Sequence, residues 1–415
     1  MGSSRPALQE VRPVDSYQDR GRHDQILFVA VCVLSAIGLV MVYSASYAYA
    51  SRQGLDPEAA LERQMLAVAI GLLALVVFSY VPSETLRRLA PFGFIIALVL
   101  LVAALMTQAG PEGTRRWIQV MPGLTLQPSA VACVALVVLL AAMGQQYAGE
   151  PRKYETFLLR GFIAVGAVCV LIVRAPDLSM MFLAGVSGLA VLLVAGVQWR
   201  HILFGVGAWL VVALVLALTT DYMGDRVREF IEALTGGEPG YQVTHALIAL
   251  GSGGWVGKGL CQGVEKFGYL PEVHNDMIFA AIGEELGLVM TLLVVALYAL
   301  ILIRGYRAAL GAPTLFGRYL AMGLTTLIAA QATVNMLVVT GAAPVTGVPL
   351  PFVSAGGSSI AVLLGATGLI LSISREYADE PREVVHGNED SAGDRGHGGP
   401  RVSRSRRGGF ATRIG

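Results

Sequence analysis

Ten stretches of this chain are apolar for long enough to cross a lipid bilayer as helices, at about 26–46, 62–80, 90–108, 127–144, 157–174, 178–197, 201–219, 276–303, 316–340 and 357–374. A helix needs roughly 20 apolar residues to span the hydrocarbon core. No water is available there to satisfy the backbone, so only helices and closed barrels can cross. Hydrophobic residues make up 55% of the chain and charged residues 14%, against about 25% charged in soluble domains. These facts exclude a soluble enzyme, a disordered chain and an outer-membrane barrel, whose strands are shorter and alternate. The expected fold is all-α: a polytopic membrane protein with about ten transmembrane helices. Its parts are a polar tail at 1–25, a membrane domain at 26–375 with a large loop at 219–275, and a tail at 376–415.

The side that carries both tails also collects the larger share of Lys and Arg, which places both termini in the cytoplasm. The first span lacks a small-residue cleavage site and reads as an uncleaved signal-anchor. Pro176 separates the fifth and sixth spans, because proline ends one helix and can start the next. Fusing or demoting one of these two spans would give nine. The tail, with Arg395, Arg401, Arg404, Arg406 and Arg407 among Gly and Ser, reads as disordered and basic. A net charge of +1 carries no nucleic-acid signal. Cys32, Cys133, Cys169 and Cys261 have neither metal-ligand spacing nor a disulfide pattern. No internal repeat is visible.

Three segments on the expected outer side are long enough to build a site. Gly110 to Leu126 holds Arg115 and Arg116, followed by Trp117. Two adjacent guanidiniums suit phosphate oxygens, and they equally suit snorkelling to lipid headgroups. The loop from Thr219 to Asn275 opens with Asp221–Leu234, where Val227, Phe230, Ile231 and Leu234 define one apolar face of a helix lying on the membrane. Its glycines, Gly251 to Gly259 around Lys258, do not form a nucleotide loop, because Ser252 and Gly259 stand where that motif needs Gly and Ser/Thr. They read as close-packed backbone with room for a ligand. The third segment, Ala343 to Ser359, has three prolines and ends in Gly356-Gly357-Ser358-Ser359, whose amides and hydroxyls could face an oxyanion.

Asp276 opens the eighth span and has two readings. It is a helix cap favoured by the macrodipole, or a carboxylate facing a cavity. At 100° per residue, Glu284 would share that cavity and Glu285 would point elsewhere. Asp177 reads as a helix cap, and Gln331 with Asn335 as a polar pair fixing helix packing.

Several segments together resemble the FtsW/RodA/SpoVE family of peptidoglycan polymerases over roughly residues 26–375. They are Gly38 to Ser46, Arg115-Arg116-Trp117-Ile118, Ala249 to Gly254, Gly268 to Glu285 and Pro344 to Ser359. One departure is Ala175-Pro176-Asp177-Leu178-Ser179, where the family has Gln-Pro-Asp-Leu-Gly. The resemblance implies an active site on the outer face of the cytoplasmic membrane and polymerisation of lipid II by an inverting glycosyl transfer. Asp276 aligns with the family's essential aspartate and would be the catalytic base. Arg115, Arg116, Lys258, Glu284, Ser358 and Ser359 would bind substrate. A divalent cation, Mg²⁺ or Mn²⁺, would assist, although no metal cage is written in the sequence. The implied partners are a class B penicillin-binding transpeptidase and other division proteins. Met41 to Ser46 and Gly268 to Glu272 look more like the division and sporulation members than the elongation member. Alternatives are a polymerase for elongation, a lipid II flippase with polar groups through the whole membrane depth, and a scaffold that needs no Asp276.

Overall fold

The computed structural model describes residues 24–53, 57–107, 116–121, 124–148, 154–175, 177–219 and 221–379. Every expected span is helical: α1 (Gln25–Gln53), α2 (Pro57–Ser79), α3 (Ser83–Met106), α4 (Pro128–Tyr147), α5 (Tyr154–Arg174), α6 (Leu178–Val194), α7 (Trp199–Thr219), α10 (Ile278–Gly311), α11 (Leu315–Val339) and α12 (Ser358–Asp379). Eight are long and apolar enough to cross a membrane, and the apolar parts of α6 and α7 are shorter. Two further helices, α8 (Asp221–Leu234) and α9 (Tyr241–Ser252), form the large loop. The last helix continues past 375 to Asp379, and the basic tail beyond it lies outside the described residues. A short antiparallel hairpin, β1 (Ile118–Met121) and β2 (Leu124–Leu126), occupies a stretch expected to be loop.

Contacts between the connecting segments sort them into two sets. In one set, Gln127 N–H donates to Ser358 Oγ (2.9 Å), Ser179 Oγ to Thr346 O, Arg226 to Val345 O (3.1 Å) and Ala355 N–H to His274 O (2.8 Å). In the other, Arg304 pairs with Asp24 (2.6 Å), Ser83 N–H donates to Glu376 (2.7 Å), and Gln198 N–H donates to Tyr154 OH (2.9 Å). Ten successive crossings put the same segments at the same two ends, so the contacts and the span count agree.

Small residues let the helices close up, as membrane packing favours. Along the α2–α12 contact, a Cβ on Gly71 would lie 2.4 Å from Leu364 Cδ1, and one on Gly368 would lie 2.4 Å from Leu75 O.

The helix that follows Asp276 is broken. Gly287 has φ 76° and ψ −177°, a conformation essentially restricted to glycine. The break leaves carbonyls and amides of α10 without intrahelical partners, and the glycine-rich loop supplies them. Lys258 N–H and Gly259 N–H donate to Glu284 O and Glu285 O, both at 3.0 Å. Leu288 N–H and Val289 N–H donate to Gly254 O and Trp255 O, at 2.9 and 3.2 Å. A Cβ on Gly257 would lie 2.1 Å from Glu285 O. These glycines are close-packed as expected, but the backbone that approaches them belongs to α10.

Candidate active site

The site is built around a loop that cannot satisfy itself. Pro344, Pro349 and Pro351 lack N–H donors and forbid a helix between α11 and α12, so the carbonyls of this segment need other partners. Six of them receive side-chain donors from five helices: Val345 O from Arg226, Thr346 O from Ser179, Val348 O from Asn335, Pro349 O from Gln331, Pro351 O from Tyr298 and Ser354 O from Gln64. Gln331 and Asn335 therefore do more than fix helix packing, because they clamp this loop to α11.

Asn335 also donates to the main-chain carbonyl of Asp276 at 2.7 Å. Asp276 is 7% exposed, and its Oδ1 is buried without a hydrogen-bond partner. Its neighbours include Gly347, where a Cβ would lie 3.8 Å from Asp276 Oδ2. Burial above all, with its surroundings, moves the carboxyl up from an ordinary 3.8 to about 7. Within that net shift the Glu272 charge adds to burial, while a backbone hydrogen bond and the Arg226 guanidinium oppose it. Burial lowers the neighbouring His274, which Glu272 partly offsets. Glu272 itself holds φ 52°, a left-handed conformation uncommon outside glycine.

Asp276 lies two residues before α10, and Met277 is the N-cap. A helical wheel does not extend to it, which is why the expectation that Glu284 shares its cavity fails. Glu284 is 1% exposed and accepts from Lys258 Nζ (2.7 Å) and from Val264 N–H (2.8 Å). Lys258, expected to meet pyrophosphate, instead has its charge balanced by this carboxylate. Glu285 points elsewhere, as expected. With Lys266 and Ser44 it forms a buried triad in which Lys266 Nζ lies 2.6 Å from Glu285 and 2.8 Å from Ser44 Oγ. The Ser44 hydroxyl is 2.7 Å from Glu285 Oε2.

Of the arginine pair, Arg115 lies outside the described residues. Arg116 is partly buried two residues before β1. Ser358 and Ser359 do start α12, where Ser358 Oγ accepts from Gln127 N–H and Ser359 Oγ donates to Gly356 O at 2.9 Å. Ser358 keeps its own proton to donate. Asp177 caps α6 through Met180 N–H (3.3 Å) and also accepts from Ser129 Oγ (3.1 Å).

A cleft of about 170 Å³ opens between α8, α9 and residues 340–345. Phe230, Leu234, Val243 and Leu247 supply apolar wall, Arg226 and Val345 also line it, and the Arg226 charge acts on Asp276. Part of the apolar face of α8 thus lines a cleft. Sequence reasoning passed over Arg226 and Lys266, which only tertiary structure brings to the site and to Glu285, and Glu272, which lies four residues before Asp276. Among the described residues, no group of three His, Cys, Asp or Glu side chains is arranged to hold a metal.

The family profile described as "Cell cycle protein", FtsW/RodA/SpoVE, matches residues 24–379. The chain is 33% identical over 365 residues to the "Probable peptidoglycan glycosyltransferase FtsW" of Geobacter metallireducens, covering 87% of this chain and 96% of that one. It is 36% identical over 361 residues to the "Stage V sporulation protein E" of Bacillus subtilis, covering 85% and 97%. A solved structure of a peptidoglycan synthase complex contains a chain that superposes with a TM-score of 0.69 at 27% identity, covering 86% of this chain and 99% of that one. Profile, relatives and structure all align along nearly the whole described region, Asp276 and its clamped loop included, and on that ground the chain belongs to the FtsW/RodA/SpoVE family.

Proposed function

We propose that this protein is a peptidoglycan glycosyltransferase that polymerises lipid II at the outer face of the cytoplasmic membrane. One observation carries the reading: Asp276 is a buried carboxyl with an unpartnered oxygen, poised at about 7 and held by its main chain beside the clamped loop. A general base works best when its pKa lies near the operating pH.

In the reaction, the 4-hydroxyl of the incoming N-acetylglucosamine attacks the anomeric carbon of the lipid-linked growing strand. The bond to undecaprenyl pyrophosphate breaks and carries the electron pair away, and the linkage inverts from α to β. Asp276 takes the hydroxyl proton. Arg226, which lines the cleft, balances charge on the pyrophosphate together with Arg115 and Arg116, while the apolar walls of the cleft hold prenyl chain. Ser358 offers a hydroxyl donor to the same oxyanion. Lys258 and Glu284 serve by holding the loop that splints α10. A divalent cation, Mg²⁺ or Mn²⁺, arriving on the pyrophosphate would find hard oxygen in Glu272 and would supply charge neutralisation, which suits a cation bound mainly through phosphate.

The partner is a class B penicillin-binding transpeptidase, and the setting is the division septum, with both tails cytoplasmic. The Asp276, Arg226 and loop contacts gather at one end of the bundle, which favours an enzyme over a flippase. The test is polymerisation of labelled lipid II by the purified protein with its transpeptidase. Asp276→Asn should fold and lose about 10²–10⁴ in rate, and Asp276→Glu should retain weak activity at most. Synthesis by the Asn variant within about threefold of wild type would sink the base assignment, because positioned proton transfer contributes far more.

A further inference from the structure

Away from Asp276, three rings cluster on the surface of the large loop. The Tyr241 and His245 centroids lie 4.3 Å apart with planes tilted by 51°, and those of His245 and Tyr269 lie 5.9 Å apart with planes within 24°. Tyr241 is 59% exposed and Tyr269 50%. The middle ring is fixed, since His245 Nδ1 shares a hydrogen bond of 2.7 Å with Glu265 Oε2. Both of these side chains are mostly buried, at 19% and 12% exposure. Glu265 is fixed in turn, because its N–H and that of Val264 point at the buried Glu284 carboxylate. The platform therefore stands on the Lys258–Glu284 pair, and its chain continues through Glu272 and His274 to Asp276.

We propose that Tyr241, His245 and Tyr269 form a saccharide-binding platform that carries already polymerised sugar units of the growing strand. This rests on the reading that the protein handles a glycan. A pyranose presents a face of C–H bonds that stacks on an aromatic ring, while its edge hydroxyls need acceptors. Tyrosine provides an apolar body with a polar tip, and Glu265 and His245 place acceptor atoms beside the rings. Two features separate this surface from tyrosines that only anchor at a lipid interface. An ionisable pair is built into the cluster, and its central ring is held by the His245–Glu265 hydrogen bond before anything binds, which lowers the entropy cost of recognition. An apolar protein interface would have no use for the His245–Glu265 pair at its centre.

The probe is a soluble tetrasaccharide of alternating N-acetylglucosamine and N-acetylmuramic acid, without lipid or pyrophosphate. Its binding to the full-length purified protein is read by saturation-transfer NMR. Wild type should bind it. Tyr269→Leu and Tyr241→Leu should weaken binding about five- to tenfold, the scale of one aromatic contact. Tyr269→Trp should hold affinity within about twofold, because it restores a stacking face. Matched thermal melts establish that the leucine variants are folded. Strands made from lipid II should be shorter in Tyr269→Leu than in wild type. Unchanged tetrasaccharide affinity in Tyr269→Leu, or a Trp variant as weak as Leu, overturns the platform. So does loss of transpeptidase co-purification with tetrasaccharide binding intact, which would make this a protein interface. A wild-type protein that binds the tetrasaccharide through Tyr269 but makes no polymer would refute the proposed reaction and leave the platform standing.

Discussion

The side-chain amide of Asn335 bridges two main-chain carbonyls, Asp276 O and Val348 O, each at 2.7 Å. Both partners are acceptors, so the NH₂ group must face them and the amide orientation is settled by chemistry. One side chain on α11 thus ties the segment carrying the proposed base to the proline-rich loop. Asn335→Leu removes both donors at similar volume and leaves two carbonyls unsatisfied. We expect it to lose about 1–3 kcal/mol of stability and to cut glycan synthesis at least about tenfold through misplacement of Asp276. Asn335→Asp should be no better, since a carboxylate offers no N–H to either carbonyl. Thermal melts and lipid II turnover on the same preparations check both outcomes.

The raised Asp276 carboxyl fixes the direction of two pH dependences. As a base it must be ionised, so kcat/KM should climb with pH and level off above about 7. Glu272 raises this value and Arg226 lowers it, so Glu272→Gln should move the rising limb to lower pH and Arg226→Gln to higher pH. Stability should run the other way. Between the ordinary 3.8 and about 7 the fold retains the proton that the unfolded chain has lost, so stability falls as pH rises through that window. Asp276→Asn removes the penalty and should melt higher than wild type at pH 8 but not at pH 4. An Asn variant that gains nothing at pH 8 would contradict the buried, unpartnered setting of this carboxyl.

Lys258 and Glu284 can be assigned by a double-mutant cycle. Lys258→Met strands a buried carboxylate and should cost about 2–4 kcal/mol, somewhat less than for a fully buried pair, because the Lys258 side chain is 31% exposed. Adding Glu284→Gln should recover most of that loss. A pyrophosphate-binding lysine would behave differently, with turnover falling in Lys258→Met at unchanged stability and no rescue by the second substitution. Melting and turnover across the four proteins separate these patterns.

Orientation is checked by labelling intact cells with a membrane-impermeant maleimide. Glu238 and Arg318 are both exposed, one after α8 and the other at the start of α11, at opposite ends of the bundle. Glu238→Cys should react and Arg318→Cys should not. The reverse pattern would place the site on the cytoplasmic side, where the proposed use of lipid II fails.

The helices were legible because apolar length is a local property. The bounds of α8, Asp221–Leu234, follow from its charge pattern alone. The break at Gly287 was not legible: the apolar run continues through it, and one glycine in a helix is commonplace. Asp276 stood out because a charge beside a membrane helix is costly. Its assignment relative to Glu284 failed because the helix begins at Ile278, so the angular argument had no helix to run along. Arg226 and Lys266 looked like ordinary loop charges, since their partners, Val345 and Glu285, are distant in sequence.

The splint across Gly287 also bears on how the protein is made. An unbroken α10 of 34 residues would measure about 51 Å, well beyond a hydrocarbon core of about 30 Å. The break lets the first part of the helix belong to the loop domain and the rest to the bilayer. Its stray amides and carbonyls are met by residues 253–259, which leave the ribosome before α10 does. The receiving surface is therefore already synthesised when Gly287 emerges, and the interrupted helix can be sealed during translation without waiting for any later part of the chain.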